Sequence, residues 1–232
     1  MVTITDTNVI SPMVFDPLQG FYPASTAARL AQAPYRTVKL WDKKGIVTPV
    51  VQWVDDLGKE TFGYTFEGLV YLRLIRMLRD MEHPFPLRKV IATIAYLRKN
   101  FGPPGRAWAD ARIVSKHNDM WVTRPVVASA SRAGQMPFKQ WLGREFEAFT
   151  EREDALLIPF QFTRWVEIKP VIRNGMPVVK GTGIETATIH AAFNRGLDTR
   201  EVKSQYPFLT PAQINHSEEF ERFLDTRAAL QP

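Results

Sequence analysis

The chain of 232 residues contains no cysteine. That excludes disulfides, thiolate metal sites and cysteine nucleophiles. Histidine is scarce as well: His83, His117, His190 and His216 are scattered without metal-ligand spacing, and each reads as a surface or locally bonded side chain. No run of eighteen apolar residues exists, so no membrane-spanning helix is expected. Met1 to Gly20 lacks the basic start and apolar core of a secretory signal, and a cytoplasmic location is the expectation. No nucleophile–base pair and no phosphate cradle can be found. Glu145, Glu147, Glu151, Glu153 and Asp154 form a carboxylate group, which a solvated edge or loop explains better than paired acid–base chemistry. The expectation is a protein without enzymatic activity, cofactor or metal.

What the chain does have is localised positive charge. The net charge is +6, and residues 22–102 carry all of that excess, with 13 basic and 7 acidic side chains. Residues 166–232 are neutral, with 8 of each sign. A basic module joined to neutral ones points to a polyanion as the partner of that module.

The basic module centres on Pro34 to Val47, which reads as one short helix. Pro34 suits the first turn, Gly45 suits the left-handed residue past the end, and Lys43 and Lys44 sit at the carbonyl end that favours cations. At about 100° per residue, Arg36, Lys39 and Lys43 share one arc while Val38 and Trp41 share another. A short helix with a basic face, a buried face and a glycine stop has the form of a recognition helix for a DNA groove. The plain alternative is a solvated helix with a few lysines.

The flanking residues sharpen this reading. Tyr22 to Gln32 forms a first short helix, opened by Pro23 and packed through Ala27, Ala28, Leu30 and Ala31. A tight turn into the Pro34 helix completes a helix-turn-helix. Val50 to Val54 and Glu60 to Gly63, around the turn Asp55 to Lys59, read as a two-stranded wing. From Tyr64 or Thr65, apolar residues at helical spacing (Phe66, Leu69, Val70, Leu72, Ile75, Leu78, Met81) predict a long helix broken by Pro84 and Pro86. Leu87 to Phe101 predicts another, stopped by Gly102-Pro103-Pro104-Gly105. Residues 1–21 read as a polar arm that could pair with a later strand.

The run Arg36-Thr37-Val38-Lys39-Leu40-Trp41-Asp42-Lys43-Lys44-Gly45-Ile46, followed by Gly63-Tyr64-Thr65-Phe66 after the wing, resembles the MerR-type winged helix-turn-helix. In this chain Gln32 replaces the usual turn glycine, Leu40 stands where that family often has a phosphate-contacting tyrosine, and the long C-terminal dimerising helix is absent. The resemblance implies binding to double-stranded DNA through Tyr35, Arg36, Thr37, Lys39, Lys43, Lys44 and Lys59. Arg36, Thr37 and Lys39 would face base edges or adjacent phosphates. Lys43 and Lys44 would hold the backbone, and Lys59 would reach from the wing tip.

Residues 103–165 read as a β-rich middle segment. Ala111 to Lys116 and Met120 to Arg124 flank a turn and predict a hairpin. Val126 to Ser131, Gln135 to Leu142, Glu145 to Thr150 and Ala155 to Phe162 are further candidate strands. Trp108, Trp121, Trp141 and Trp165 could fill a small β core.

Residues 166–232 form the last module. Val171 to Val179 carries Asn174-Gly175, a strong hairpin signal. Lys180-Gly181-Thr182-Gly183 reads as a turn rather than a phosphate loop. Three helices follow. One spans Thr186 to Arg195 and ends at Gly196, one is capped by Thr199, and one is opened by the capping box Thr210-Pro211-Ala212-Gln213 and runs to about Asp225. Glu218, Glu219, Glu221 and Asp225 suit a dimerisation or toxin-docking role better than contact with phosphates. Phe220, Phe223 and Leu224 give the same helix an apolar face, which suits either plain core or a partner surface.

Pro170, Gly175-Met176-Pro177-Val178-Val179, Gly181-Thr182, Ile184, Gly196, Glu201-Val202, Tyr206-Pro207 and Ile214 resemble a small bacterial domain known only as a domain of unknown function. Gly183 departs where that family usually has arginine. The order of modules resembles VapB-type antitoxins. The resemblance implies a homodimeric, cytoplasmic DNA-binding repressor that also silences a PIN-like ribonuclease toxin. The alternative is a stand-alone MerR-like regulator that answers to a small ligand. The expected fold is α+β: arm (1–21), winged helix-turn-helix (22–102), small antiparallel β segment (103–165), then β-hairpin plus three helices (166–232).

Overall fold

The computed structural model describes residues 21–54, 58, 60–80, 86–102, 112–116, 119–123 and 157–229. Lys59, the arm up to residue 20, Trp108, Trp141, the strand candidates between 126 and 150 and the carboxylates from Glu145 to Asp154 lie outside those residues. The fold is α+β, with seven helices and small antiparallel sheets among the described residues.

Tyr22–Pro23 is a short strand, β1, rather than helix, and helix α1 spans Ala24–Leu30. Pro23 flanks the helix start, where its missing N–H costs nothing. Helix α2 spans Tyr35–Lys43 and begins after Pro34. It ends as its sequence predicts. Gly45 has φ 64°, its N–H bonds the Asp42 carbonyl at 2.7 Å, and the Ile46 N–H bonds the Trp41 carbonyl at 2.8 Å. This double closure satisfies carbonyls that would otherwise lack partners. Gln32, in the turn between α1 and α2, has φ 53°. A residue with a Cβ is strained there, and glycine would not be.

Strands β2 (Val51–Val54) and β3 (Glu60–Tyr64) pair antiparallel from Val51 opposite Gly63 to Val54 opposite Glu60. β1 adds to the free side of β3, with Tyr22 opposite Tyr64, so the expected two-stranded wing is a three-stranded sheet. Thr65 caps α3 (Phe66–Arg79) by accepting a hydrogen bond from the Gly68 N–H at 3.1 Å. Helix α4 (Leu87–Phe101) is tied to α3 by Arg98, whose Nε donates to Glu67 at 2.9 Å. The Tyr71 hydroxyl donates to the same carboxylate, and burial together with that bond pushes the Tyr71 phenol up. Strands β4 (Arg112–Lys116) and β5 (Asp119–Thr123) form the predicted hairpin, with Lys116 opposite Asp119.

Residues 157–162 depart from expectation. No strand forms there. Leu157 and Ile158 are buried, and Phe160–Phe162 makes a single tight helical turn. The Phe162 ring meets Phe220 at 5.5 Å and Phe223 at 5.9 Å between centroids. An apolar run looks alike whether it is a strand or a plug, and here it fills the space beside a helix. Trp165 stacks on His216 at 4.9 Å instead of joining a β core.

The hairpin of the last module is also wider than the Asn-Gly signal suggests. β6 (Val166–Glu167) pairs with β7 (Val178–Val179), so residues 168–177 make the connection. Arg173, Asn174 and Gly175 are successive left-handed residues inside that loop, at φ 49°, 53° and 80°. The local turn preference is honoured, but the strand register is set further out. The Lys180–Gly183 segment is a turn. Gly181 N–H donates to Glu167 at 2.8 Å, so a carboxylate already occupies the amide that a phosphate would need. Burial alone would raise the Glu167 carboxyl, but the bonds from Lys169 and the Gly181 amide hold it below its ordinary value.

Helices α5 (Thr186–Asn194), α6 (Thr199–Gln205) and α7 (Pro211–Ala229) complete the chain. Asp198, not Thr199, caps α6. Its carboxylate takes the Arg200 and Glu201 amides while Glu201 returns a bond to the Asp198 amide, all at 2.8 Å. Thr210 and Gln213 form the predicted capping box of α7. One hydrophobic core joins the first and last modules: Tyr22, Leu30, Val38, Leu69 and Ile75 share it with Phe162, Val166, Phe220 and Leu224.

Candidate nucleic-acid interface

Helix α2 is held by its inner face. Val38 and Trp41 are buried in the common core. Its outer face carries Arg36, Lys39, Leu40 and Lys43, with Lys44 just past the end, and all five are exposed. Among the described residues, Arg36, Lys43 and Lys44 form no ion pair. Their ammonium and guanidinium groups are available to an external anion. A helix terminus alone would favour an anion at the other end, so this cationic end is attractive through its side chains.

Lys39 is positioned more closely than the others. Its ammonium lies 5.6 Å from the Tyr35 ring and 5.6 Å from the ring of Phe62 on β3. Two aromatic faces therefore orient one cation between helix and sheet. Asp42 lies on the flank of the helix. Partial burial lifts its carboxyl above the ordinary value, and Lys39 offsets part of that. Burial, with Asp42 and Tyr35 nearby, pushes the Tyr64 phenol up. Tyr35 and Thr37 are half-buried at the start of the helix. The structure thus brings Tyr35, Arg36, Thr37, Lys39, Lys43 and Lys44 onto or beside one helix next to a β sheet. Two neighbours were not among the expected residues. Phe62 supports Lys39 from a different element, so only the fold could reveal it. Leu40 was legible, because helical spacing alone puts it about 40° from Arg36 at the border of the basic arc.

The acidic residues of α7 have a different setting. Glu221 is 1% exposed, and its carboxylate meets the Arg29 guanidinium of α1 at 2.5 Å. Thr186 donates its hydroxyl to the same carboxylate. Arg29 also reaches Asp225 at 2.7 Å and donates to the Glu221 carbonyl at 3.1 Å. Burial pulls the Arg29 guanidinium down, and the Glu221 and Asp225 carboxylates more than reverse this. Glu218 is buried too, between His190 at 2.6 Å and Arg222 at 2.5 Å. Phe220 and Leu224 are fully buried. These four buried side chains are therefore taken up within the fold: Glu221 ties α7 to α1 through Arg29, Glu218 ties α7 to α5 through His190, and Phe220 and Leu224 lie in the shared core.

Among the described residues, no group of three or more His, Cys, Asp or Glu is placed to hold a metal ion. No helix there is long and apolar enough to cross a membrane.

Residues 166–220 match a family model described as a protein of unknown function (DUF433). No curated protein matches the chain significantly. Among solved structures, the chain is similar to Rv2018 from Mycobacterium tuberculosis, with a TM-score of 0.55 and 17% identity. The match covers 88% of this chain and 99% of that one. At that identity the likeness is one of fold.

Proposed function

We propose that this protein is a DNA-binding antitoxin. It represses its own operon as a homodimer, and it neutralises a PIN-like ribonuclease toxin. The observation that carries the DNA-binding half is the exposed face of α2, where Arg36, Lys43 and Lys44 form no ion pair among the described residues and stand beside a sheet. Such a helix suits the major groove, and Lys43 and Lys44 suit flanking phosphates. The antitoxin half is supported by the DUF433 match over residues 166–220 together with the resemblance of the module order to VapB-type antitoxins.

Two measurements test the two halves separately. Fluorescence anisotropy with the duplex upstream of the gene tests DNA binding. Co-expression with the product of the neighbouring gene, followed by light scattering, tests the partner. A stable complex with a small ribonuclease, together with operator binding, is the expected result. Operator binding without any complex would leave a stand-alone regulator. Failure of both would remove the proposal.

A further inference from the structure

Leu40 borders the basic face of α2, with Arg36 four residues before it and Lys43 and Lys44 three and four after it, and is 46% exposed. By helical spacing it lies about 40° from Arg36 and about 60° from Lys43 around the axis. Its carbonyl accepts the Lys44 N–H at 3.0 Å, so it sits within regular helix and its side chain projects outward. The other exposed large hydrophobic residues among those described are elsewhere: Val54 on β2, Tyr96 on α4, and Val171 and Phe208 in the last module. Leu40 is thus an aliphatic group flanked by cations that face a polyanion. It can neither pair with a phosphate nor hydrogen-bond a base. Among base edges of the major groove, one apolar group is available, the C5-methyl of thymine.

We infer that Leu40 reads a thymine methyl in the major groove and is a specificity-determining residue of the interface. This rests on the DNA-binding reading of α2. Arg36 and the lysines supply the attraction, and Leu40 supplies discrimination between thymine and the bases that lack the methyl. A buried methyl contact corresponds to about fourfold in affinity.

The test begins with a random-sequence duplex library selected on the full-length protein. Each thymine of the enriched site is then replaced in turn by uracil, which removes only the methyl group. The wild type is expected to lose about fourfold in affinity at one position. Leu40→Ala is expected to bind the thymine and uracil duplexes of that position equally, with Leu40→Gln as a second variant. Both replace an exposed side chain, and circular dichroism checks that they fold. Wild-type indifference to uracil at every position, or full methyl discrimination by Leu40→Ala, would overturn the inference while leaving DNA binding intact. No enriched sequence at all would overturn the DNA-binding reading and this inference with it.

Discussion

Helices α2 and α7 both carry a run of like charge, and the two runs do opposite things. On and just past α2, Arg36, Lys43 and Lys44 are exposed and form no ion pair among the described residues. On α7, Glu218 and Glu221 are buried and paired with His190, Arg222 and Arg29. The first run holds charge ready for an outside ligand. The second holds the protein's own parts together. Count and spacing alone do not separate these cases. What separates them is whether the fold brings an opposite charge to the same place.

The comparison can be broken at the seam between modules, and the largest effect is expected at Gly175. Its φ is 80°, and a Cβ there would run into the Tyr22 ring. Gly175→Ala combines a left-handed backbone with overpacking, and about 3 kcal/mol of stability should be lost in urea unfolding. Next is Glu221→Ala, which leaves Arg29 with Asp225 as its remaining carboxylate and strips the buried Thr186 hydroxyl of its carboxylate acceptor. Removing one member of a buried pair costs about 3–5 kcal/mol, and the partial exposure of Arg29 places the expected loss near about 2 kcal/mol. Neither substitution touches the basic face, so DNA affinity of the folded protein should stay within about twofold. An unchanged stability for Glu221→Ala would show that the two acidic and basic runs differ less than their surroundings suggest.

Arg36→Ala tests the other side of the comparison. It should leave urea unfolding nearly unchanged and cost about 1–3 kcal/mol of affinity, concentrated at one base position of the operator. The smallest effect concerns the turn. Gln32 is 6% exposed and left-handed. Gln32→Gly relieves about 1 kcal/mol of backbone strain but removes buried side-chain contacts. A net change within about 1 kcal/mol in thermal or urea unfolding is expected, and a loss above about 2 kcal/mol would mean that the side chain matters more than the backbone there.

Much of the fold was legible because its signals are local. Pro34, Gly45 and the alternation of Val38 and Trp41 with Arg36 and Lys39 define α2 without reference to anything distant. Thr65, Gln213 and the Lys116–Asp119 turn did the same for their elements. The misread parts depend on partners far along the chain. The Arg29–Glu221 pair joins residues on the first and last helices, and no periodicity announces it. Leu157 to Phe162 is apolar and short, so its sequence suits a strand as well as a plug under α7. Asn174-Gly175 forces a local left-handed turn, but β6 and β7 pair outside it. At the candidate site, the helical arc of Arg36, Lys39 and Lys43 was readable, and so was Leu40 at its border. The seat of Lys39 against Phe62 was not, since it needs the sheet to be folded beside the helix.

The most direct test of the central claim is the salt dependence of affinity for the upstream duplex, compared between the wild type and the Lys43→Ala/Lys44→Ala double variant. If both lysines neutralise phosphates, the double variant binds all sequences more weakly, and the slope of log affinity against log salt becomes shallower by about 1.8. An unchanged slope and affinity in a variant that folds normally would contradict the account, because the free cations of α2 would then not be what holds the DNA.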